Sequence, residues 1–204
     1  MAVRKRSCTW GPGTPLRHRH FVERSPIHES FCRENFKGAQ VAIHGRCWKF
    51  GDNIPTDEIV RSERVLLSIP EMAEHVLENL NPEFPKSVQK GDILVAGKHF
   101  GQSSGRAVAP KALQATGIAV IIVEYAARLF YRNCFEIGLP LLECPGINAG
   151  VEDGDTLSVD MASGIVVNES RGTTFQAKAI DPFLREMLDL GGLIPMAQRL
   201  AEGS

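Results

Sequence analysis

Runs of apolar residues separated by polar breaks divide the middle of the chain into alternating strands and helices. Residues 39–48 alternate loosely between apolar and polar positions and predict a strand, and residues 92–96 predict a second, short one. The continuous apolar run 118–123 is typical of a strand buried on both faces of a sheet. Helical spacing of apolar residues predicts helices over 107–116 and 126–135. This order predicts an α/β core covered by one layer of helices.

A capping signal predicts a further helix before the second strand. Ser68 and Glu71 have the spacing of a capping box, and Pro70 fits the first helical turn. The apolar residues that follow lie on one helical face as far as Leu80. We therefore expect one continuous helix between Ser68 and Leu80.

The pattern changes after Gly150. Residues 156–160 and 165–168 alternate and predict a β-hairpin, and residues 173–179 predict one more strand. Pro182 then opens a helical pattern that the Gly191–Gly192 pair ends. The sequence thus adds an antiparallel layer and a final helix to the α/β core.

Composition narrows the class of protein. A formal net charge of −1 argues against a general nucleic-acid binder, and no apolar run reaches the length of a membrane span. The cysteines are odd in number and form no C-x-x-C pair, so neither a zinc site nor a disulfide framework is indicated. They are Cys8, Cys32, Cys47, Cys134 and Cys144. This usage is typical of a reducing compartment, and we expect a cytoplasmic protein with no membrane partner.

The first 36 residues differ from the rest of the chain. They are basic, contain Pro12 and Pro15, and have no acidic residue before Glu23. A transit peptide has a similar composition, but Pro and Gly disfavour the amphipathic helix that such a peptide needs. We therefore interpret residues 1–36 as a basic, irregular extension and residues 37–204 as one domain.

The segment Gly97–Pro110 connects a predicted strand to a predicted helix and holds small residues, two hydroxyls and Arg106. Unpaired backbone N–H groups and the positive end of the helix dipole favour an anion at such a helix start. The segment predicts a binding site for a carboxylate or phosphate. A plain Gly/Ser turn without function is the alternative.

Several motifs, in order, resemble the small subunit of 3-isopropylmalate dehydratase, which is equivalent to the swivel domain of aconitase. They are Gly45–Asp57, Gly91–Gly97, Phe130–Asn133, Gly138–Leu142, Pro182–Leu184 and Gly191–Leu193. The resemblance spans roughly residues 37–195 and implies an α/β fold, namely a swivelling β/β/α three-layer domain. It also implies a partner: a large subunit that carries a [4Fe-4S] cluster, with no cofactor on this chain. The implied reaction dehydrates and rehydrates a small hydroxy acid.

The resemblance also assigns roles within the turn. The family's G-C-G-S-S-R-E-H-A-P segment falls on residues 101–110, which makes Ser104 the catalytic base and Arg106 the carboxylate-binding residue. Ser103, and Arg64 in the loop after the first motif, are further candidates for substrate binding. The alternatives are a helix cap for Ser104 and a surface ion pair for Arg106.

The turn departs from the family pattern at several positions. Gln102 replaces a Cys, Gly105 replaces the second Ser, and Ala107 and Val108 replace the Glu-His pair. We therefore consider three hypotheses: an isopropylmalate dehydratase subunit, a related dehydratase subunit for another hydroxy acid, and a non-catalytic interaction domain that kept the fold.

Overall fold

The computed structural model describes residues 42–202. The basic extension 1–36, the boundary at residue 37, and Cys8 and Cys32 lie outside these residues. None of the helices within residues 42–202 has the length and apolar character needed to cross a lipid bilayer.

The strands form one seven-stranded mixed sheet with the order β4-β3-β2-β1-β5-β6-β7. They are β1 (Ile43–Lys49), β2 (Ile93–Phe100), β3 (Val120–Ala126), β4 (Leu141–Glu143), β5 (Thr156–Asp160), β6 (Ile165–Asn168) and β7 (Thr173–Gln176). Strands β4, β3, β2 and β1 are parallel, whereas β1, β5, β6 and β7 are antiparallel. Strand β1 belongs to both parts, because its first half pairs with β5 and its end pairs with β2.

The helices of the described residues lie between and after these strands. They are α1 (Thr56–Ile59), α2 (Ile69–Ala73), α3 (Phe84–Ser87), α4 (Val108–Ala115), α5 (Arg128–Glu136), α6 (Ile147–Gly150), α7 (Pro182–Asp189) and α8 (Leu193–Glu202). A short 3₁₀ helix, Ser62–Arg64, follows α1.

The parallel strands separate two hydrophobic cores. On β2, Leu94 and Ala96 belong to the core shared with the helices, whereas Ile93 and Val95 belong to a second core. This second core also contains Leu157 of β5 and other residues of the antiparallel strands. Successive strand residues point to opposite faces, so the parallel strands lie between the helices and the antiparallel strands. The three-layer β/β/α arrangement is confirmed.

The helix predicted between Ser68 and Leu80 is shorter than expected. Its capping box is present, but α2 ends at Ala73. Leu77 has a φ of +56°, and its N–H donates to the carbonyl of Ile59 instead of continuing the helix. The apolar residues after Ala73 that predicted a helix are apolar for another reason: Val76 and Leu77 are buried in irregular turns.

The structure also differs from the predicted elements at the end of β2 and after Gly192. Strand β2 extends to Phe100, where we expected a turn from Gly97 onward. The chain also forms helix α8 after Gly192, which the pattern did not predict. Met196 is the buried residue of α8, and the Gly191–Gly192 pair that follows α7 lies directly before α8.

Candidate active site

The connection from β2 to α4, residues 101–107, crosses the carboxyl end of the parallel strands, and we call it the site turn. Ligands of open α/β sheets bind at this end of the strands. Two backbone hydrogen bonds hold the turn against the segment after β1: Gly101 N–H donates to Ile54 O at 2.8 Å, and Thr56 N–H donates to Gln102 O at 2.9 Å. The fold therefore places the residues around Asp57 beside the site turn.

Gly101 determines the direction of the chain as it enters the site turn. Its φ is +73°, and a Cβ added there would lie 2.2 Å from Cγ of Phe130, which is buried. The position therefore needs glycine for its conformation and for the space beside Phe130.

Gly101→Ala should lower the free energy of unfolding by about 2–4 kcal/mol, because the left-handed backbone is strained and the methyl group overpacks Phe130. Urea denaturation of the full chain measures this loss. Gly172→Ala is the matched control: its φ is +66°, but a Cβ there would meet nothing within 4 Å. It should cost about 1 kcal/mol. Equal losses for both variants would contradict the assigned contact.

Ser104 does not cap the helix that follows the site turn. The N-cap position of α4 is Ala107, which makes no side-chain hydrogen bond. Instead the Oγ of Ser104 accepts a hydrogen bond from the backbone N–H of Arg106, with N and Oγ 3.2 Å apart. Ser103 beside it is exposed and has a φ of +78°, a conformation that Ser rarely adopts. The alternative of a cap for Ser104 is thus wrong, and the catalytic role remains a prediction.

Arg106 forms the centre of a three-residue cluster. Its Nη1 lies 3.0 Å from Oδ1 of Asp57 and 3.2 Å from Oγ of Ser62. The Ser62 hydroxyl in turn donates to the same Asp57 oxygen at 3.0 Å. The Arg106 and Asp57 side chains are 39% and 51% exposed, so the ion pair contributes at most about 1 kcal/mol to stability. Its main effect is to orient the guanidinium.

The rest of the Arg106 guanidinium has the hydrogen-bonding capacity to hold a ligand. Only Nη1 has a hydrogen-bond partner among residues 42–202. Nε and Nη2 can therefore donate two parallel hydrogen bonds to a carboxylate. Arg106 takes part in a surface ion pair, as the alternative stated, while its Nε and Nη2 keep their hydrogen-bonding capacity, and carboxylate binding by Arg106 remains a prediction.

Arg64 lies in the same segment as Ser62, which contacts Arg106. The Arg64 side chain itself has other partners. Its Nη2 is 3.4 Å from Oε1 of Glu78, and the other oxygen of Glu78 is 2.7 Å from Nδ1 of His75. Leu66, two residues further along the loop, is 97% exposed. Substrate binding by Arg64 and Ser103 remains a prediction.

Sequence reasoning missed Asp57 and Ser62 as members of the site. Asp57 ends the first family motif, which is the one signal in the sequence that points to it. Nothing in the sequence connects Ser62 to Arg106, which is 44 positions away.

The cysteines of the described residues do not fit an iron–sulfur cluster. Within residues 42–202 there is no group of three or more His, Cys, Asp or Glu side chains that could hold a metal ion. Cys47, Cys134 and Cys144 are buried free thiols. Burial, together with Asp153 and Asp155, raises the pKa of Cys47 to about 12, and burial with Glu124 raises that of Cys144 to about 11. Cluster ligands are thiolates, whereas these groups favour the protonated form.

The three layers and the site turn together define a swivel domain of the aconitase type. A family profile described as the aconitase C-terminal domain matches residues 56–145. A structure of 3-isopropylmalate dehydratase from Methanocaldococcus jannaschii superposes with a TM-score of 0.75 and 31% identity, over 80% of this chain and 98% of the other.

Curated relatives agree with this assignment. The small subunit 1 of 3-isopropylmalate dehydratase from Archaeoglobus fulgidus is 46% identical over 159 residues, which cover 78% of this chain and 98% of the relative. The small subunit of isopropylmalate/citramalate isomerase from Methanocaldococcus jannaschii is 42% identical over 162 residues, 78% of this chain and 96% of the relative. The chain belongs to the family of 3-isopropylmalate dehydratase small subunits.

Family membership confirms three expectations. The fold is the swivelling domain, the chain is part of a hydro-lyase, and a small subunit implies a large-subunit partner. The family assignment is to an enzyme and does not favour the hypothesis of a non-catalytic interaction domain.

Proposed function

We propose that this chain contributes Ser104 and Arg106 to an active site that the large subunit completes. The complex dehydrates and rehydrates a hydroxy dicarboxylate with a short alkyl branch, and isopropylmalate is the first candidate. The observation that supports this most directly is the Arg106 cluster. Asp57 and Ser62 hold Nη1 of the guanidinium. Its Nε and Nη2 stay able to donate two parallel hydrogen bonds to a carboxylate.

In this proposal Arg106 binds one substrate carboxylate, and Ser104, in its alkoxide form, removes the proton from the carbon next to that carboxylate and becomes a neutral hydroxyl. The electron pair of that C–H bond forms the carbon–carbon double bond, and the hydroxyl leaves the neighbouring carbon as hydroxide with the electron pair of the C–O bond. The backbone N–H of Arg106 donates to the Ser104 oxygen and so stabilises negative charge on it. In rehydration Ser104 returns its proton to the substrate.

We assign the [4Fe-4S] cluster to the large subunit, because the described cysteines of this chain do not fit it. When bound there, such a cluster supplies a Lewis acid for the substrate hydroxyl. This chain's part is to hold the carboxylate and to move the proton. We place the complex in the cytoplasm, where free thiols stay reduced.

The loop from Ser62 to Leu67 supports a branched substrate. Ser62 contacts Arg106, and the loop presents the exposed Leu66 and the half-buried Val65 nearby in sequence. These apolar side chains suit an alkyl branch, and Arg64 and Ser103 are our candidates for a second acidic group. Citramalate is the second candidate substrate, because one relative is named as an isopropylmalate/citramalate isomerase.

The test is to purify the chain with its large subunit under reducing, anaerobic conditions and to measure kcat/KM for isopropylmalate, citramalate and citrate. We expect turnover of the two branched dicarboxylates and a preference for them over citrate. A preference for citrate would overturn the proposed substrate class. An assembled, cluster-loaded complex without activity on any hydroxy acid would overturn the proposed function.

A further inference from the structure

Helix α5 lies along the site turn and presents cations beside it. Asn133 Nδ2 donates to the carbonyl of Gly105 at 3.0 Å, and Leu129 packs against the same glycine. At the start of the helix, the N–H of Ala127 donates to Phe100 O, where β2 ends. The first two turns of α5 therefore border the residue that precedes Arg106.

Three exposed cations lie on the two elements that border the site turn, Lys98 on β2 and Arg128 and Arg132 on α5, and we call them the cationic rim. Lys98 pairs in register with Tyr125 near the end of β3. None of the three side chains makes a hydrogen bond or an ion pair within residues 42–202. Glu136 lies one turn beyond Arg132 but forms no ion pair with it there.

The positions of Arg128 and Arg132 oppose helix stability. Like charges four residues apart on a helix repel each other. Arg128 is also the first residue of α5, where the helix dipole disfavours a cation, and this first turn contains no acidic residue. Helices α1 and α2 follow the opposite and favourable pattern, with Asp57, Glu58 and Glu71 in their first turns. The two arginines therefore each weakly disfavour helix α5 locally.

We propose that the cationic rim attracts the doubly charged dicarboxylate substrate and guides it to Arg106. This inference rests on the proposed function. A substrate with two carboxylates keeps one negative charge when Arg106 binds the other, and unpaired cations beside the site draw such an anion by long-range attraction. Arg128 and Arg132 are the sequence neighbours of Leu129 and Asn133, which contact Gly105, so both cations lie in the two helical turns that border the site turn.

The test is the double variant R128Q/R132Q, assembled with the large subunit. At low ionic strength its kcat/KM for isopropylmalate should be about 10-fold below that of the unmodified complex, with kcat unchanged. High salt should remove most of this difference, because it screens exposed charges. R128K/R132K should restore kcat/KM, since it restores the charge. R199Q, which removes an exposed cation from α8, is the control and should change neither value.

Three results would overturn the inference. The first is a salt dependence of kcat/KM in R128Q/R132Q that equals the salt dependence of the unmodified complex. Another is weaker assembly with the large subunit, which would make the rim a subunit contact. The third is a lower thermal stability of the full-length variant, whereas relief of repulsion should keep or raise it. If the unmodified complex has no turnover, the proposed function fails separately. In that case equilibrium binding of succinate tests the inference about the cationic rim. Equal affinity of the unmodified complex and the R128Q/R132Q complex for succinate would overturn it.

Discussion

Ser104→Ala should reduce turnover by the assembled enzyme about 100- to 10,000-fold, the usual range for removal of a group that transfers a proton in the transition state. Substrate binding should change little, because the carboxylate is held by Arg106 and not by the hydroxyl. Assembly should also persist, since the only hydrogen bond that the Oγ makes among the described residues is the one from Arg106 N–H. The measurement is kcat and KM for isopropylmalate, together with gel filtration of the complex.

Ser103→Ala is the matched comparison, because it removes a hydroxyl from the adjacent residue of the same turn. Its Oγ has no hydrogen-bond partner within residues 42–202, so a loss much smaller than that of Ser104→Ala is expected. If Ser104→Ala turned over at the unmodified rate, the assignment of the base would be wrong. If Ser103→Ala instead abolished kcat, the proton-transferring role would move to Ser103.

Arg106→Lys should lower kcat/KM about 10- to 100-fold although the charge is kept. The guanidinium binds Asp57 and Ser62 through one nitrogen and offers its remaining N–H groups to a carboxylate. A lysine ammonium has a single nitrogen and cannot hold Asp57 and donate two parallel hydrogen bonds to a carboxylate at the same time. Hydrogen bonds to charged groups contribute about 1.5–3 kcal/mol each, which gives this range. Most of the loss should fall on KM, with a smaller loss in kcat from substrate misplacement. Steady-state kinetics of the assembled complex measures both.

Arg199→Lys makes the same chemical change on helix α8 and controls for a general effect of the replacement. It should leave kcat/KM within about twofold of the unmodified value, because an exposed cation that makes no hydrogen bond to Asp57, Ser62 or Arg106 contributes only weak, screened electrostatics. A kcat/KM for Arg106→Lys that matches this control would mean that Arg106 does not bind the carboxylate.

Most of the fold could be predicted because its elements have strong local patterns. The hairpin of β5 and β6 was predicted at its observed bounds, and the apolar run that became β3 is buried on both faces as expected. The errors lie where long-range contacts override the local pattern. Leu77 leaves the helical conformation and its N–H donates to the carbonyl of Ile59, so the helix that begins after Ser68 is short. The carbonyl of Gln102 accepts a hydrogen bond from the N–H of Thr56, and this contact fixes the site turn after the end of β2.

By itself the sequence determined the family, the alternation of strands and helices, and the turn that contains Ser104 and Arg106. These depend on residue type and spacing along the chain, which a sequence displays directly. Only the tertiary structure decided which groups surround Arg106. Asp57 is 49 positions away, and it reaches the guanidinium because parallel pairing of β1 with β2 brings the segments after both strands to one edge. Distances between such remote residues follow from strand pairing and core packing, which no local pattern encodes.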